Sequence, residues 1–100
     1  MLRWIKIRGD SLLPDFHEGD FVLISKIPFF FHSPSPGDVV VFRVSPYGTL
    51  IKKIEWTDPG QRVFYVVGSH AASLDSRSFG PIDREALLGK VIWHISRKGD

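Results

Sequence analysis

The chain contains no cysteine. That excludes disulfides, a thiol nucleophile and any thiolate-held metal, while leaving the compartment open. Long apolar runs are missing too: no stretch approaches the roughly 20 consecutive apolar residues that a membrane-spanning helix needs. The first nine residues carry Arg3, Lys6 and Arg8 and lead into no apolar segment of the kind a secretory leader has. The expected location is therefore cytoplasmic or peripheral to a membrane, with no transmembrane segment. Charge of one sign is also scarce. Thirteen basic against eleven acidic side chains give a net charge of +2. The bases are scattered apart from Lys52-Lys53 and Arg97-Lys98, so no basic stripe marks a nucleic-acid partner. The four histidines show no metal-ligand spacing. No cofactor and no metal are expected.

What is present reads as strand. Trp4 to Arg8 alternates apolar and polar, as a half-buried strand does. Phe21–Ile24, Val39–Val44, Thr49–Trp56, Arg62–Val67 and Gly89–Ile95 follow, most of them opened by Gly, Pro or Asp turn residues. Residues 83–87 have room for one helical turn. The length of 100 residues indicates one domain over 1–100. The fold class expected is mostly β: a single small domain of coiled antiparallel sheets or a partly closed β-barrel. One biased segment stands apart, Pro28-Phe29-Phe30-Phe31-His32-Ser33-Pro34-Ser35-Pro36. Its prolines argue against regular structure. Its three phenylalanines either plug one end of the core or form an exposed contact for a membrane surface or a protein.

Several residues have types that carry chemistry. Ser11 lies in Gly9-Asp10-Ser11-Leu12-Leu13-Pro14, between a flexible glycine and a rigid proline. It is either a turn serine or a displayed hydroxyl, and as a nucleophile it needs a base. Lys52 is one candidate. Strand alternation sends Leu50, Lys52 and Ile54 to one face and Ile51 and Lys53 to the other. On a solvated face Lys52 is an ordinary lysine; among apolar side chains its pKa falls. An unperturbed lysine is only about 0.04% neutral at pH 7, so burial decides whether the amine can accept a proton. A triad of Ser11, His70 and Asp75 is a rival arrangement. Ser73, Asp75, Ser76 and Arg77 make a dense polar run. It is either a surface loop or a support, stiffened by an Asp75–Arg77 ion pair.

Taken together, these segments resemble the signal peptidase I type of serine protease, which uses a Ser–Lys dyad. Gly9-Asp10-Ser11-Leu12-Leu13-Pro14 is similar to its nucleophile box, and Pro36-Gly37-Asp38-Val39-Val40-Val41-Phe42 to its Gly-Asp strand. Ile51-Lys52-Lys53-Ile54 is similar to its lysine strand. Ser73-Leu74-Asp75-Ser76-Arg77-Ser78-Phe79-Gly80-Pro81 resembles its last box, and Gly89-Lys90-Val91 its closing strand. The resemblance implies the catalytic core that signal peptidases share with self-cleaving repressors. It implies Ser11 as nucleophile and Lys52 as general base and then acid. Ser73 would orient the lysine amine, and Asp75 with Arg77 would form an ion pair beside the site. The Ser11 backbone N–H and a donor at Gly9 would form the oxyanion hole. The implied partner is a precursor protein carrying a signal peptide or propeptide. Leu12 replaces the usual methionine, and Gly68-Ser69-His70 replaces Gly-Asp-Asn in a loop about one residue shorter. The compact form is similar to proteases that mature nickel-type superoxide dismutase. Two other readings stay open: a non-catalytic β module that binds peptides or nucleic acid, and a relative of repressor-type self-cleaving proteases.

Overall fold

The computed structural model describes residues 2–7, 19–60, 62–67 and 75–95. Gly9, Ser11, His70 and Ser73 lie outside the described residues. Strand β1 is Leu2–Lys6 and β2 is Phe21–Ser25. A 3-10 turn follows at Ile27–Phe30. Then come β3 (Val39–Val44), β4 (Gly48–Thr57) and β5 (Val63–Val67). Helix α1 is Ser76–Phe79, β6 is Ile82–Asp83, a second 3-10 turn is Arg84–Ala86, and β7 is Leu87–Ile95.

The strands form one antiparallel seven-stranded sheet in the order β1-β2-β7-β3-β4-β5-β6. The order is open: among the described residues β1 and β6 are its two edges. Register shifts at Leu23/Ile24, Val41/Phe42 and Ile54/Trp56 put bulges into three of the pairings. Bulges raise local twist, which coils a sheet short of closure. At Gly89 two strands come close. A Cβ there would meet the Ser25 backbone N at 3.1 Å and the Ile24 Cβ at 3.2 Å. Only glycine lets β2 cross β7 at this separation.

Pleating divides the apolar residues between two cores. Val40 and Phe42 join Ile54, Phe64, Val66, Ile82 and Leu87 on one face. Val41 joins Ile7, Val22, Ile24 and Ile51 on the other. Both faces of β3 are thus covered, which explains why its sequence is a continuous apolar run rather than an alternation. Each fully buried Val, Ile or Phe side chain contributes roughly 1.5–3 kcal/mol.

Some local expectations change. The Pro28 segment is irregular from Phe31 to Pro36 as expected, but its start joins a 3-10 turn, with proline at a first-turn position that needs no N–H donor. Its phenylalanines divide between the two readings. Phe29 packs against the Phe42 core, whereas Phe30 and Phe31 are 79% and 78% exposed. The helical turn expected near 83–87 is the 3-10 turn Arg84–Ala86, and β7 starts at Leu87 rather than Gly89. Strand β6 and helix α1 have no counterpart in the sequence reading. Both are too short to show a hydrophobic period.

Candidate active site

Lys52 sits in the middle of β4, opposite Val40 of β3. It is completely buried, with 0% of its surface exposed, while its neighbour Lys53 is exposed. The pleat makes this difference. Lys52 shares a face with Ile54, which belongs to the Phe42 core, and with Leu50, which packs against that core. Burial pushes the Lys52 pKa down, because a charged ammonium loses its hydration there; the Asp75 carboxylate pulls it partly back up. A lysine in this setting can exist as a neutral amine and accept a proton.

Asp75 is the second fully buried polar group of this corner, at 0% exposure. It is the N-cap of α1, and its Oδ1 accepts from the Arg77 backbone N–H at 2.9 Å. An aspartate is suited to that position because the first turn of a helix leaves its N–H groups unpaired. The Arg77 side chain closes on the same carboxylate as a fork. Nε donates to Oδ1 at 3.0 Å and to Oδ2 at 3.1 Å, and Nη2 donates to Oδ2 at 2.7 Å. The carboxylate in turn raises the Arg77 pKa. Between them Ser76 anchors the helix to the sheet: its buried Oγ accepts the Val66 N–H of β5 at 2.8 Å. Val66 pairs with Ile54 on β4, two residues from Lys52. The register therefore brings Lys52, Asp75 and Arg77 to one corner of the sheet. Gly9, Ser11 and Ser73 fall outside the described residues, and so does the His70 of the rival triad. Ser76 was legible only as a member of the polar run 73–77; its anchoring role follows from the register of β5.

A cleft of about 250 Å³ lies mainly on the other face of the sheet, that of Val41 and Ile51; it is lined by Ile5, Ile7, Val22, Val41, Leu50 and Ile51, with Arg3, Lys6 and Thr49 adding polar groups, and Lys52, Asp75 and Arg77 are not among its lining residues. It spans from β1 to the first half of β4. Among the described residues β1 pairs only with β2, and Gly48–Lys52 pair only with β3. The cleft's lining residues come from four strands far apart in sequence, so sequence reading had not gathered them. Among the described residues no group of three metal-ligating side chains occurs, and no helix is long and apolar enough to cross a membrane.

Comparison with known proteins extends this geometry. The family profile described as "Signal peptidase, peptidase S26" matches residues 1–68, a stretch that includes Ser11 and Lys52. The "Mitochondrial ATP-independent inner membrane protease subunit 1b" of Arabidopsis thaliana is 29% identical, over 87% of this chain and 66% of its own length. The "Probable signal peptidase I" of Mycobacterium leprae is 33% identical, over 86% of this chain and 30% of its own. The chain thus spans just under two thirds of the first relative and less than a third of the second. No solved structure matches. The matched stretch covers more than half of the sequence and contains the buried-lysine strand, and the chain belongs to the signal peptidase family, peptidase S26.

Proposed function

We propose that residues 1–100 act as one catalytic domain, a serine endopeptidase with a Ser11–Lys52 dyad that removes an N-terminal signal peptide or propeptide from a precursor protein. The observation that carries this reading is the complete burial of Lys52. A burial cost of this kind is retained where a neutral amine is needed. In the proposed step the Ser11 hydroxyl attacks the scissile carbonyl and its proton passes to the Lys52 amine. Backbone N–H groups at Ser11 and Gly9 receive the developing oxyanion, where one such donor contributes about 2.7–4 kcal/mol. The Lys52 ammonium then protonates the leaving amine. Water, deprotonated by the same lysine, releases the acyl group from Ser11. Ser73 orients the amine. The cleft between β1 and β4 receives the extended precursor ahead of the cut; small side chains next to the cut are what the family resemblance implies. A narrower substrate reading, a nickel-type superoxide dismutase propeptide, rests on the Asp75–Pro81 box.

The test is N-terminal sequencing of candidate precursors after incubation with wild type and with Ser11→Ala. Cleavage at one site by wild type and none by Ser11→Ala is expected. Equal cleavage by both would sink the dyad, and no cleavage of any precursor favours the non-catalytic peptide-binding module. We also read Phe30 and Phe31 as a peripheral contact with a lipid surface. They project beside a small cleft that Lys26 and Arg84 help to line. Phe30→Ser/Phe31→Ser should lower sedimentation with anionic vesicles. A loss seen instead with Trp4→Ser/Trp93→Ser would move the contact to exposed residues of β1 and β7.

A further inference from the structure

We propose that Arg3 and Arg43, at the end of the cleft farther from Lys52, select precursors with an acidic side chain about three to five residues ahead of the cut. The inference rests on the reading of this cleft as the place that receives the precursor. Strand direction is its first ground. Four antiparallel pairings in succession link β1 to β2, β7, β3 and β4, so β1 and β4 run the same way. The cleft between them therefore has two distinct ends. Ile7 and Ile51 line the end from which β4 continues to Lys52 and the sequence after β1 continues to Ser11. Arg3 and Thr49 line the other. At about 3.3 Å per strand residue, Thr49 lies roughly 10 Å from Lys52, and Arg3 roughly 13 Å from Ile7. An extended peptide covers either span in about three to four residues.

The two ends differ in charge. Around Ile7 and Ile51 the walls are the apolar side chains of the Val22–Val41 core. At the other end stand the Arg3 guanidinium and the Thr49 hydroxyl. Arg43 faces Thr49 directly across the β3–β4 ladder, on the side of the sheet that Val41 and Ile51 share. Arg3 and Arg43 are exposed, and among the described residues neither belongs to an ion pair. The one further cation of the cleft lining is Lys6; among the described residues no acidic side chain lines it. Nearby carboxylates are engaged elsewhere: Asp20 with His94, Asp38 with Lys90 and Asp75 with Arg77. Glu55 stands toward the opposite end of β4. Bases and acids nearly balance over the whole chain, thirteen against eleven, so an acid-free cleft mouth is a local arrangement of charge rather than a result of composition. A carboxylate seated there meets guanidinium donors whose fork matches its two oxygens. An ammonium there meets like charge.

The test is binding of dansyl-labelled peptides to the full chain carrying Ser11→Ala, followed by fluorescence anisotropy. Three end-blocked peptides of Ala, Val and Ser share one sequence and differ only in the fourth residue ahead of a central Ala: Glu, Gln or Lys. At about 50 mM salt the Glu peptide should bind roughly three- to tenfold more tightly than the Gln peptide, and the Lys peptide more weakly than either. The ratio should shrink at about 500 mM salt, since exposed charges are screened. Arg3→Gln/Arg43→Gln should bring the Glu-to-Gln ratio close to one. Arg3→Glu/Arg43→Glu should reverse the preference toward the Lys peptide, an outcome that a merely structural role does not produce. Both arginines are exposed, so each variant should match its parent in urea melts. Equal binding of the Glu and Gln peptides, or a ratio that survives the loss of both arginines, would overturn the inference. An unchanged ratio together with lost sedimentation on phosphatidylglycerol vesicles would assign the arginines to a lipid surface and overturn it as well. Binding of none of the three peptides would overturn the reading of the cleft as the seat of the precursor, which keeps the two failures apart.

Discussion

Two carboxylates are buried among the described residues, and each is held by a partner that reaches the surface. Asp75, at 0% exposure, is gripped by Arg77, two residues away. Asp20, at 2%, has His94 Nε2 at 2.7 Å, 74 residues away in sequence. The Asp75 pair is local and lies at the corner of a buried lysine. The Asp20 pair joins distant parts of the chain. The Asp20 carbonyl also accepts the Ile7 N–H at 2.8 Å, next to the end of β1, and His94 lies across from Val22 near the end of β7. It therefore ties three strands together at one point. Two corners of similar chemistry have different surroundings: one lies at the helix–sheet corner of the buried Lys52, the other joins three strands. That distinction is open to test because substitutions at the two corners should differ in kind.

The largest effect belongs to the Asp75 corner. Lys52→Met keeps the length of the side chain and removes the amine. Cleavage should fall by roughly 10²–10⁴-fold, the usual contribution of a general base. Stability should move the other way, upward by about 0.5–2 kcal/mol, as functional sites often trade one for the other. The sign follows from linkage. Burial lowers the folded-state pKa of Lys52, so between the folded and unfolded values the unfolded chain binds more protons. Wild-type stability therefore rises with pH through that window, until the unfolded lysine also titrates near 10.4. In Lys52→Met that part of the slope should vanish. Urea melts at several pH values between 6 and 10 measure both. A variant that is less stable than wild type at pH 7 would mean that Lys52 is a structural member of its core.

How far sequence reading reached depends on the range over which each feature is encoded. Strand identity was legible because period-2 patterning and Gly-Asp turns are local. The candidate residues Lys52, Asp75 and Arg77 were legible as types at a spacing. The burial of Lys52 was not, because Ile51 and Ile54 are equally apolar neighbours on opposite faces. Only packing of Phe42, Phe64 and Val66 against one of those faces decides which lysine goes inside. The Asp20–His94 pair was invisible for the same reason: it depends on the β2–β7 register across most of the chain. The cleft drew its lining from four strands, so no segment announced it. Gly89 read as part of a family box, although its physical requirement is the close passage of Ser25.

A smaller effect separates the second corner from the first. Asp20→Ala removes the carboxylate partner of His94 and leaves a small void at the joint of β1, β2 and β7. The expected loss is about 1.5–3 kcal/mol, the range for hydrogen bonds to charged groups. It should appear as a lower urea midpoint with an unchanged slope. The acid limb of cleavage, measured on folded protein, should stay at its wild-type position, because Asp20 sits at the β1–β2–β7 joint with His94 and the causes that shift Lys52 are burial and Asp75. A displaced limb in Asp20→Ala would erase the division of roles between the two corners.

The smallest effect sharpens the comparison most economically, because it uses the same substitution one residue along. Lys53 is exposed on β4 and pairs with Val39 and Val67. Its ammonium keeps its water, so Lys53→Met should change stability by no more than about 0.5 kcal/mol, as surface substitutions usually do. Cleavage and its pH dependence should match wild type. Lys52→Met and Lys53→Met then form a matched pair, identical in composition and net charge and differing only in the side of the pleat. If the two behaved alike in melts and in cleavage, strand alternation could not be what activates Lys52. If only Lys52→Met raises stability while abolishing cleavage, the pleat of β4 is the device that turns one of two adjacent lysines into a base.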